Sequence, residues 1–137
     1  NFYGNITFSI NKYIESHPLV LKFNGVIPLK EVHQNISHSD ACVLFLTDDI
    51  NYSFSTKFCE YLYFQKPIIV FSRFGATTNF IEKNNLGLAI SPDDMLNKIN
   101  TLEEFLHCYV SDNVNRKKFL NYFDIENIVI KIQDVLI

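Results

Sequence analysis

The sequence predicts an α/β fold in which helices cover a parallel sheet, and two observations lead to that prediction. Residues 41–46 and 68–71 form continuous apolar runs of strand length in which polar residues do not alternate. Stretches with helical period separate these runs. Strands without alternation are buried on both faces, which is typical of parallel sheets in α/β proteins. We therefore predict a Rossmann-like sheet with helices on both faces.

Each element is predicted from its apolar spacing and from the residues that begin or end it. All four glycines lie at element boundaries, and Pro92 with two aspartates behind it is a helix-start signal. The last helix carries an apolar stripe at helical spacing, so the chain is predicted to end in helices. The predicted strands are residues 2–3, 18–24, 41–46, 68–72 and 88–90, and the predicted helices are residues 7–16, 29–39, 56–64, 77–84, 92–109, 114–123 and 125–136.

Length and composition favour one folded domain. The chain has 137 residues, of which 47% are hydrophobic and 20% are charged, and this is enough for a core of its own. We predict a single domain over residues 1–137. Phe2 and Tyr3 resemble the end of a strand whose beginning is absent. The chain is therefore expected to be a C-terminal fragment that lacks its first strand or strands and a preceding domain.

Charge, hydropathy and cysteines exclude several classes of function. The net charge of −3 argues against a nucleic-acid surface, which needs clustered lysine and arginine. No apolar run reaches the roughly 20 residues of a membrane-spanning helix, and no signal peptide is recognisable. The three cysteines are widely spaced and include no CxxC pair, so neither a zinc site nor a disulfide framework is predicted. We expect no metal and no cofactor.

The loop between the strand at residues 41–46 and the following helix carries the clearest functional signal. In an open parallel sheet, ligands bind beyond the carboxyl ends of the strands, where helix N-termini bind anions. One helical turn beyond the loop, the carboxylate of Glu60 could accept hydrogen bonds from a ribose diol. The alternative is that a serine only caps the helix and that a lysine and Glu60 form a solvated pair. The side chains suited to a phosphate are Ser53, Ser55, Thr56 and Lys57.

Two pairs of aspartates and one arginine are further candidates. Asp48-Asp49 and Asp93-Asp94 are predicted to be a turn and a helix start rather than metal ligands, since the chain has no Asp-x-Asp motif. Arg73 follows a strand and could contact a phosphate, the alternative being a solvated loop arginine.

Four segments in a fixed order carry a family resemblance. They are residues 21–27 (LKFNGVI), 39–45 (SDACVLF), 57–70 (KFCEYLYFQKPIIV) and 85–94 (NLGLAISPDD). Together they resemble the C-terminal, donor-binding domain of GT-B glycosyltransferases, in particular the large retaining family 4 (group 1). The resemblance covers nearly the whole chain and implies that this domain is half of a GT-B architecture.

The resemblance also implies roles for individual residues. Glu60 takes the place of the second glutamate of the family's E-x7-E pair, which binds the ribose hydroxyls of the donor. The place of the first glutamate is taken by Tyr52, a departure that resembles branches with a Ser-x-x-Lys-hydrophobic-x-Glu-Tyr motif. The donor diphosphate is expected at Ser53, Ser55, Thr56 and Lys57, and the nucleobase at the main chain of Gly25, Val26 and Ile27.

The function implied by the resemblance is that of a hexosyltransferase in polysaccharide biosynthesis. The parent protein would transfer a sugar from a nucleoside-diphosphate sugar to a saccharide or lipid-linked acceptor, which the absent N-terminal domain would bind. It would be cytoplasmic, with peripheral membrane association as an option, and the base, sugar and acceptor stay open. This chain alone is expected to be inactive, because the family's diphosphate-neutralising arginine and lysine would precede Asn1. The alternative is a non-catalytic nucleotide-binding subunit or interaction module of the same fold.

Overall fold

A computed structural model describes residues 1–50, 52–108 and 116–124 of the chain. The chain divides into two compact units, Asn1–His38 and Ser39–Ile137, which we call the first and the second unit. The single domain over residues 1–137 stays a prediction.

The first unit contains two helices at the predicted places. α1 spans Phe8–Glu15, and the hydroxyl of Thr7 caps it by accepting a hydrogen bond from the Ile10 N–H at 3.4 Å. α2 spans Leu29–His38. A helix start with a hydroxyl residue in front of it is a strong local signal, and α1 follows that signal.

The extended segments of the first unit are shorter than predicted. Phe2 and Phe23 form a parallel bridge, but residues 18–20 form a turn. The N–H groups of Val20 and Leu21 donate to the carbonyl oxygen of His17 at 3.2 and 2.9 Å. These bonds hold the start of the predicted strand 18–24 in the turn, so only its end at Phe23 is paired with a neighbouring segment.

The second unit has a parallel sheet, and its described strands lie in the order β1-β2-β3. β1 spans Cys42–Phe45, β2 spans Ile68–Phe71 and β3 spans Gly87–Ile90. α3 (Thr56–Tyr63) connects β1 to β2, and α4 (Ala76–Lys83) connects β2 to β3. Parallel strands joined by helices are the repeating unit of a Rossmann-like sheet, and the predicted α/β fold class is confirmed.

An apolar cluster joins the sheet to α3 and α4. Phe58 of α3 is its centre and has no exposed surface. The rings of Phe54, Phe80 and Phe123 surround Phe58 with centroids 5.3, 5.9 and 5.8 Å away. The buried members of the cluster are Leu44, Leu46, Phe58, Leu62, Ile68, Val70, Ile81, Leu86 and Phe119.

Gly87 allows β3 to lie directly against β2. A Cβ atom at this position would be 1.8 Å from the backbone oxygen of Ile68. No side chain fits such a distance, so the predicted boundary glycine is required by strand packing rather than by a turn.

Burial along β1 alternates although its sequence does not. Cys42 and Leu44 are buried, whereas Val43 and Phe45 are exposed, Phe45 by 63%. The ring of Phe45 stacks on that of Phe71 in β2, with centroids 5.1 Å apart.

The predicted helix over residues 92–109 is wrong as one continuous element. A 3₁₀ helix spans Pro92–Asp94, turns follow, and α5 spans Ile99–Cys108. Within these turns, the side chain of Asn97 donates to Asp94 Oδ1 at 2.7 Å.

The end of the chain also differs from its prediction. A 3₁₀ helix, Arg116–Tyr122, replaces the predicted helix 114–123 and packs on α3. The predicted helix 125–136 lies outside the described residues.

Candidate functional site

The predicted site residues fall into the two units. Ser53, Ser55, Thr56, Lys57 and Glu60 lie in the second unit, where the structure brings them together between β1 and the second turn of α3. The three residues predicted to contact the nucleobase belong to the first unit and form a separate group.

The loop from β1 to α3 is folded by its own hydrogen bonds. The hydroxyl of Thr47 donates to the carboxylate of Asp49. The N–H and the hydroxyl of Ser53 both donate to the carbonyl oxygen of Ile50, at 3.2 and 3.0 Å. The carbonyl oxygen of Ser53 in turn accepts a hydrogen bond from the buried Thr77 hydroxyl of α4 at 2.8 Å. The loop is therefore attached to the helix that follows the next strand.

Ser55 begins α3. Its backbone is extended (φ −84°, ψ 156°), and its Oγ accepts a hydrogen bond from the Phe58 N–H at 3.2 Å. The capping role weighed for this serine is thus confirmed. The next two residues, Thr56 and Lys57, have exposed side chains. Their N–H groups have no acceptor within the described residues, which is the arrangement that binds anions at a helix start.

Glu60 lies one turn further along α3 and is half-buried. Within the part of the chain that the structure describes, Lys57 and Glu60 do not form an ion pair with each other. The solvated pair considered from the sequence is therefore absent, and both charged groups remain accessible for a ligand.

The neighbour of Glu60 in the Glu-Tyr dipeptide has a structural role. The hydroxyl of Tyr61 donates to the carbonyl oxygen of Val43 in β1 at 3.4 Å. Burial raises the pKa of Tyr61 to about 12, so its hydroxyl stays protonated and keeps the hydrogen bond at neutral pH. Tyr61 thus links α3 to β1.

The described cysteine side chains are poor nucleophiles. Burial raises the pKa of the Cys42 thiol. It also raises the pKa of the Cys59 thiol, which is less deeply buried. A protonated thiol neither attacks nor binds a metal readily, so these residues belong to the packing of β1 and α3.

An ion cluster that the sequence analysis missed joins the carboxyl ends of all three described strands. Arg73, two residues after the end of β2, donates from Nη1 to Asp48 Oδ2 at 2.6 Å. It also donates from Nε and Nη2 to the two carboxylate oxygens of Asp93, at 2.8 and 3.0 Å. Arg73 lowers the pKa of Asp93. The available signal was that each of the three residues follows an apolar strand, but the sequence alone does not reveal which strands are neighbours.

Ser72 lies beside this cluster at the end of β2. Its N–H extends the strand ladder by donating to the carbonyl oxygen of Ile90 at 3.1 Å. Its side chain is buried, and its Oγ has no hydrogen-bond partner among the residues that the structure describes. Such a group is uncommon in a folded protein.

The first unit contains a cavity of about 430 Å³ beside the start of α1. Gly25 and Val26 line it, as does Thr7, but Ile27 does not. Two glycines shape its rim with positive φ angles, Gly4 at 98° and Gly25 at 70°, and the Gly4 N–H donates to the Gly25 carbonyl oxygen at 2.8 Å. Two of the three residues predicted at the nucleobase therefore line a cavity.

Two general features complete the description. No group of three or more metal-ligating side chains occurs within residues 1–50, 52–108 and 116–124. Likewise, none of the helices described is long and apolar enough to cross a membrane.

Comparisons with protein-family models, with curated proteins and with solved structures give no match for this chain. The resemblance to the glycosyltransferases therefore depends on the sequence segments quoted above.

Proposed function

We propose that this chain is the donor-binding domain of a glycosyltransferase. The parent protein transfers a sugar from a nucleoside-diphosphate sugar to a saccharide or lipid-linked acceptor. The observation that carries the proposal is the arrangement of loop 47–55 and α3. A parallel strand leads through a hydroxyl-rich loop into a capped helix start, with an accessible cation in its first turn and an accessible carboxylate in its second.

The helix start suits the diphosphate of the donor. The N–H groups of Thr56 and Lys57 are without acceptors in the described structure, and the helix dipole adds positive potential at this end. The ammonium of Lys57 supplies a full charge. The Ser55 hydroxyl keeps its proton for a phosphate oxygen, whereas the Ser53 hydroxyl would have to exchange its hydrogen bond to the Ile50 carbonyl oxygen for one to the phosphate.

Glu60 suits the ribose. Its carboxylate lies one turn beyond Lys57 and is not used in an ion pair with it. A carboxylate accepts hydrogen bonds from two adjacent hydroxyls, which is the way dinucleotide-binding folds read a ribose. Within the first unit, the open pocket lined by Gly25 and Val26 has a volume in the range of small-ligand sites.

The alternative function is a nucleotide-binding or interaction module without transfer activity. One observation favours it: Tyr52, which stands in place of the family's first glutamate, is 75% exposed and supplies no carboxylate. The transferase and the module share the nucleotide site, so sugar transfer by the parent protein separates them.

Calorimetric titration of the full chain with UDP, GDP and ADP tests the nucleotide site. We expect saturable binding of one nucleotide. Glu60→Gln should weaken that binding by about 1.5–3 kcal/mol, the value of a hydrogen bond to a charged group. This corresponds to a roughly tenfold to hundredfold rise in Kd.

The matched control is Glu82→Gln, which neutralises an exposed glutamate of α4. It should bind the nucleotide like the wild type. Equal Kd values for wild type and Glu60→Gln would contradict the ribose contact, and absence of binding for all three nucleotides would contradict the proposed function.

A further inference from the structure

We propose that Arg73 is a diphosphate-binding residue, held by Asp48 and Asp93 when no ligand is present and released from Asp93 to the ligand on binding. The inference deepens the proposed function, on which it depends for the identity of the ligand. It begins from an electrostatic need: the leaving diphosphate carries negative charge, and Lys57 is the only cation among the predicted site residues.

Arg73 lies against the loop that carries those residues. Its guanidinium is 2.6 Å from Asp48, in the same loop as Ser53 and Ser55. Four residues beyond Arg73, the Thr77 hydroxyl holds the Ser53 carbonyl oxygen at 2.8 Å. Residues 73–77 are thus attached to the loop at both ends, which places the guanidinium at the same edge of the sheet as the start of α3.

The bonds that hold Arg73 are easily exchanged. The side chains of Arg73, Asp48 and Asp93 are 51%, 58% and 64% exposed. Ion pairs between exposed groups contribute little to stability because water screens them. Asp93 can therefore give up Arg73 without leaving a buried charge unpaired.

The geometry of the Asp93 pair is also the geometry of phosphate recognition. Arg73 presents Nε and Nη2 to two oxygens of one carboxylate, at 2.8 and 3.0 Å. The same planar fork binds two oxygens of a phosphate. A diphosphate carries more charge than a single carboxylate, so it competes well for the fork.

The two aspartates then set the affinity of the site. One guanidinium stands between two carboxylates, so the cluster has a net negative charge and repels a free anion until Asp93 moves away. Removing the charge of Asp93 should therefore strengthen anion binding, whereas removing Arg73 should weaken it. If the ion cluster were purely structural, both substitutions would change the affinity for the anion in the same direction.

The test uses inorganic pyrophosphate as the probe in calorimetric titrations of the full chain at low ionic strength. We expect Arg73→Gln to raise the Kd about tenfold, since charge-assisted bonds to phosphate are lost. Arg73→Lys should fall between wild type and Arg73→Gln because it keeps the charge but loses the fork. Asp93→Asn should lower the Kd several-fold. Lys83→Gln, which removes an exposed charge at the end of α4, should leave it unchanged.

Thermal unfolding of each variant checks that the fold is retained. The inference is overturned if wild type does not bind pyrophosphate, if Arg73→Gln binds it equally well, or if Asp93→Asn weakens binding. It is separable from the proposed function. Arg73-dependent pyrophosphate binding without binding of any of the three nucleotides would refute the proposed function alone. Nucleotide binding without Arg73-dependent pyrophosphate binding would refute the role of Arg73 alone.

Discussion

The middle of β2 and its carboxyl end lie a few residues apart yet depend on different physics. Ile68 and Val70 are fully buried and belong to the apolar cluster that includes residues of α3 and α4, so burial of apolar surface stabilises them. Arg73, three residues further on, is half-exposed and forms ion pairs with Asp48 and Asp93. The comparison teaches that the fold and the candidate site occupy the same strands but use separate residues. Substitutions in the middle of β2 should mainly change stability, whereas substitutions at its carboxyl end should mainly change ligand binding.

The apolar cluster should show the largest effect on stability. Phe58→Ala removes a ring that is fully buried and surrounded by three other rings. We expect the free energy of unfolding to fall by about 3–5 kcal/mol, as for other buried phenylalanines. Urea denaturation followed by circular dichroism measures it.

Phe45→Ala is the matched control, because Phe45 is an exposed phenylalanine of the same sheet that only stacks on Phe71. Phe45→Ala should lower the free energy of unfolding by about 0.5–1.5 kcal/mol. Similar losses for the two variants would show that the cluster around Phe58 is not the centre of the core.

The junction between the two regions should show an intermediate effect. Thr77→Val keeps the volume of a fully buried side chain and removes the hydroxyl that donates to the Ser53 carbonyl oxygen at 2.8 Å. The Ser53 carbonyl is part-buried, so losing its partner should cost about 1 kcal/mol, the low end of the range for buried groups. Urea denaturation should show this loss in the free energy of unfolding. The loop should also exchange its amide hydrogens faster, since its bond to α4 is gone.

Ser72→Ala gives the contrast, because it removes a buried hydroxyl that has no partner in the described structure. Here the free energy of unfolding should stay the same or rise. A loss equal to that of Thr77→Val would show that the Ser72 hydroxyl is bonded and that the two positions do not differ.

The outcome of the sequence analysis follows the same division. α1 to α4 lie within one residue of their predicted ends because their signals are local, such as the hydroxyls of Thr7 and Ser55 in front of two of them. The helix predicted over residues 92–109 is interrupted by turns at residues 95–98, and apolar spacing does not reveal this interruption.

The candidate site was predictable only where its residues are close in the chain. Ser55, Lys57 and Glu60 share one helix start, and the structure keeps them together. Arg73 meets partners that lie 25 and 20 residues away, because neighbouring parallel strands bring their carboxyl ends to one edge. Strand order is a property of the folded chain, so this cluster could not be deduced from spacing.

The carboxyl edge should show the smallest effect on stability, with a characteristic dependence on pH. Arg73 lowers the pKa of Asp93, so this pair stabilises the fold above the ordinary aspartate pKa, about 4. The contribution disappears as the pH falls through the lowered pKa of folded Asp93. Arg73→Gln should therefore lower the thermal midpoint slightly at neutral pH, less than Thr77→Val does, and should match the wild type in strong acid or high salt. A drop as large as that of Thr77→Val, independent of pH, would make Arg73 part of the framework of the fold. A small drop that disappears in high salt would show that the guanidinium can change partners. A residue that exchanges a carboxylate for a phosphate must be able to do so.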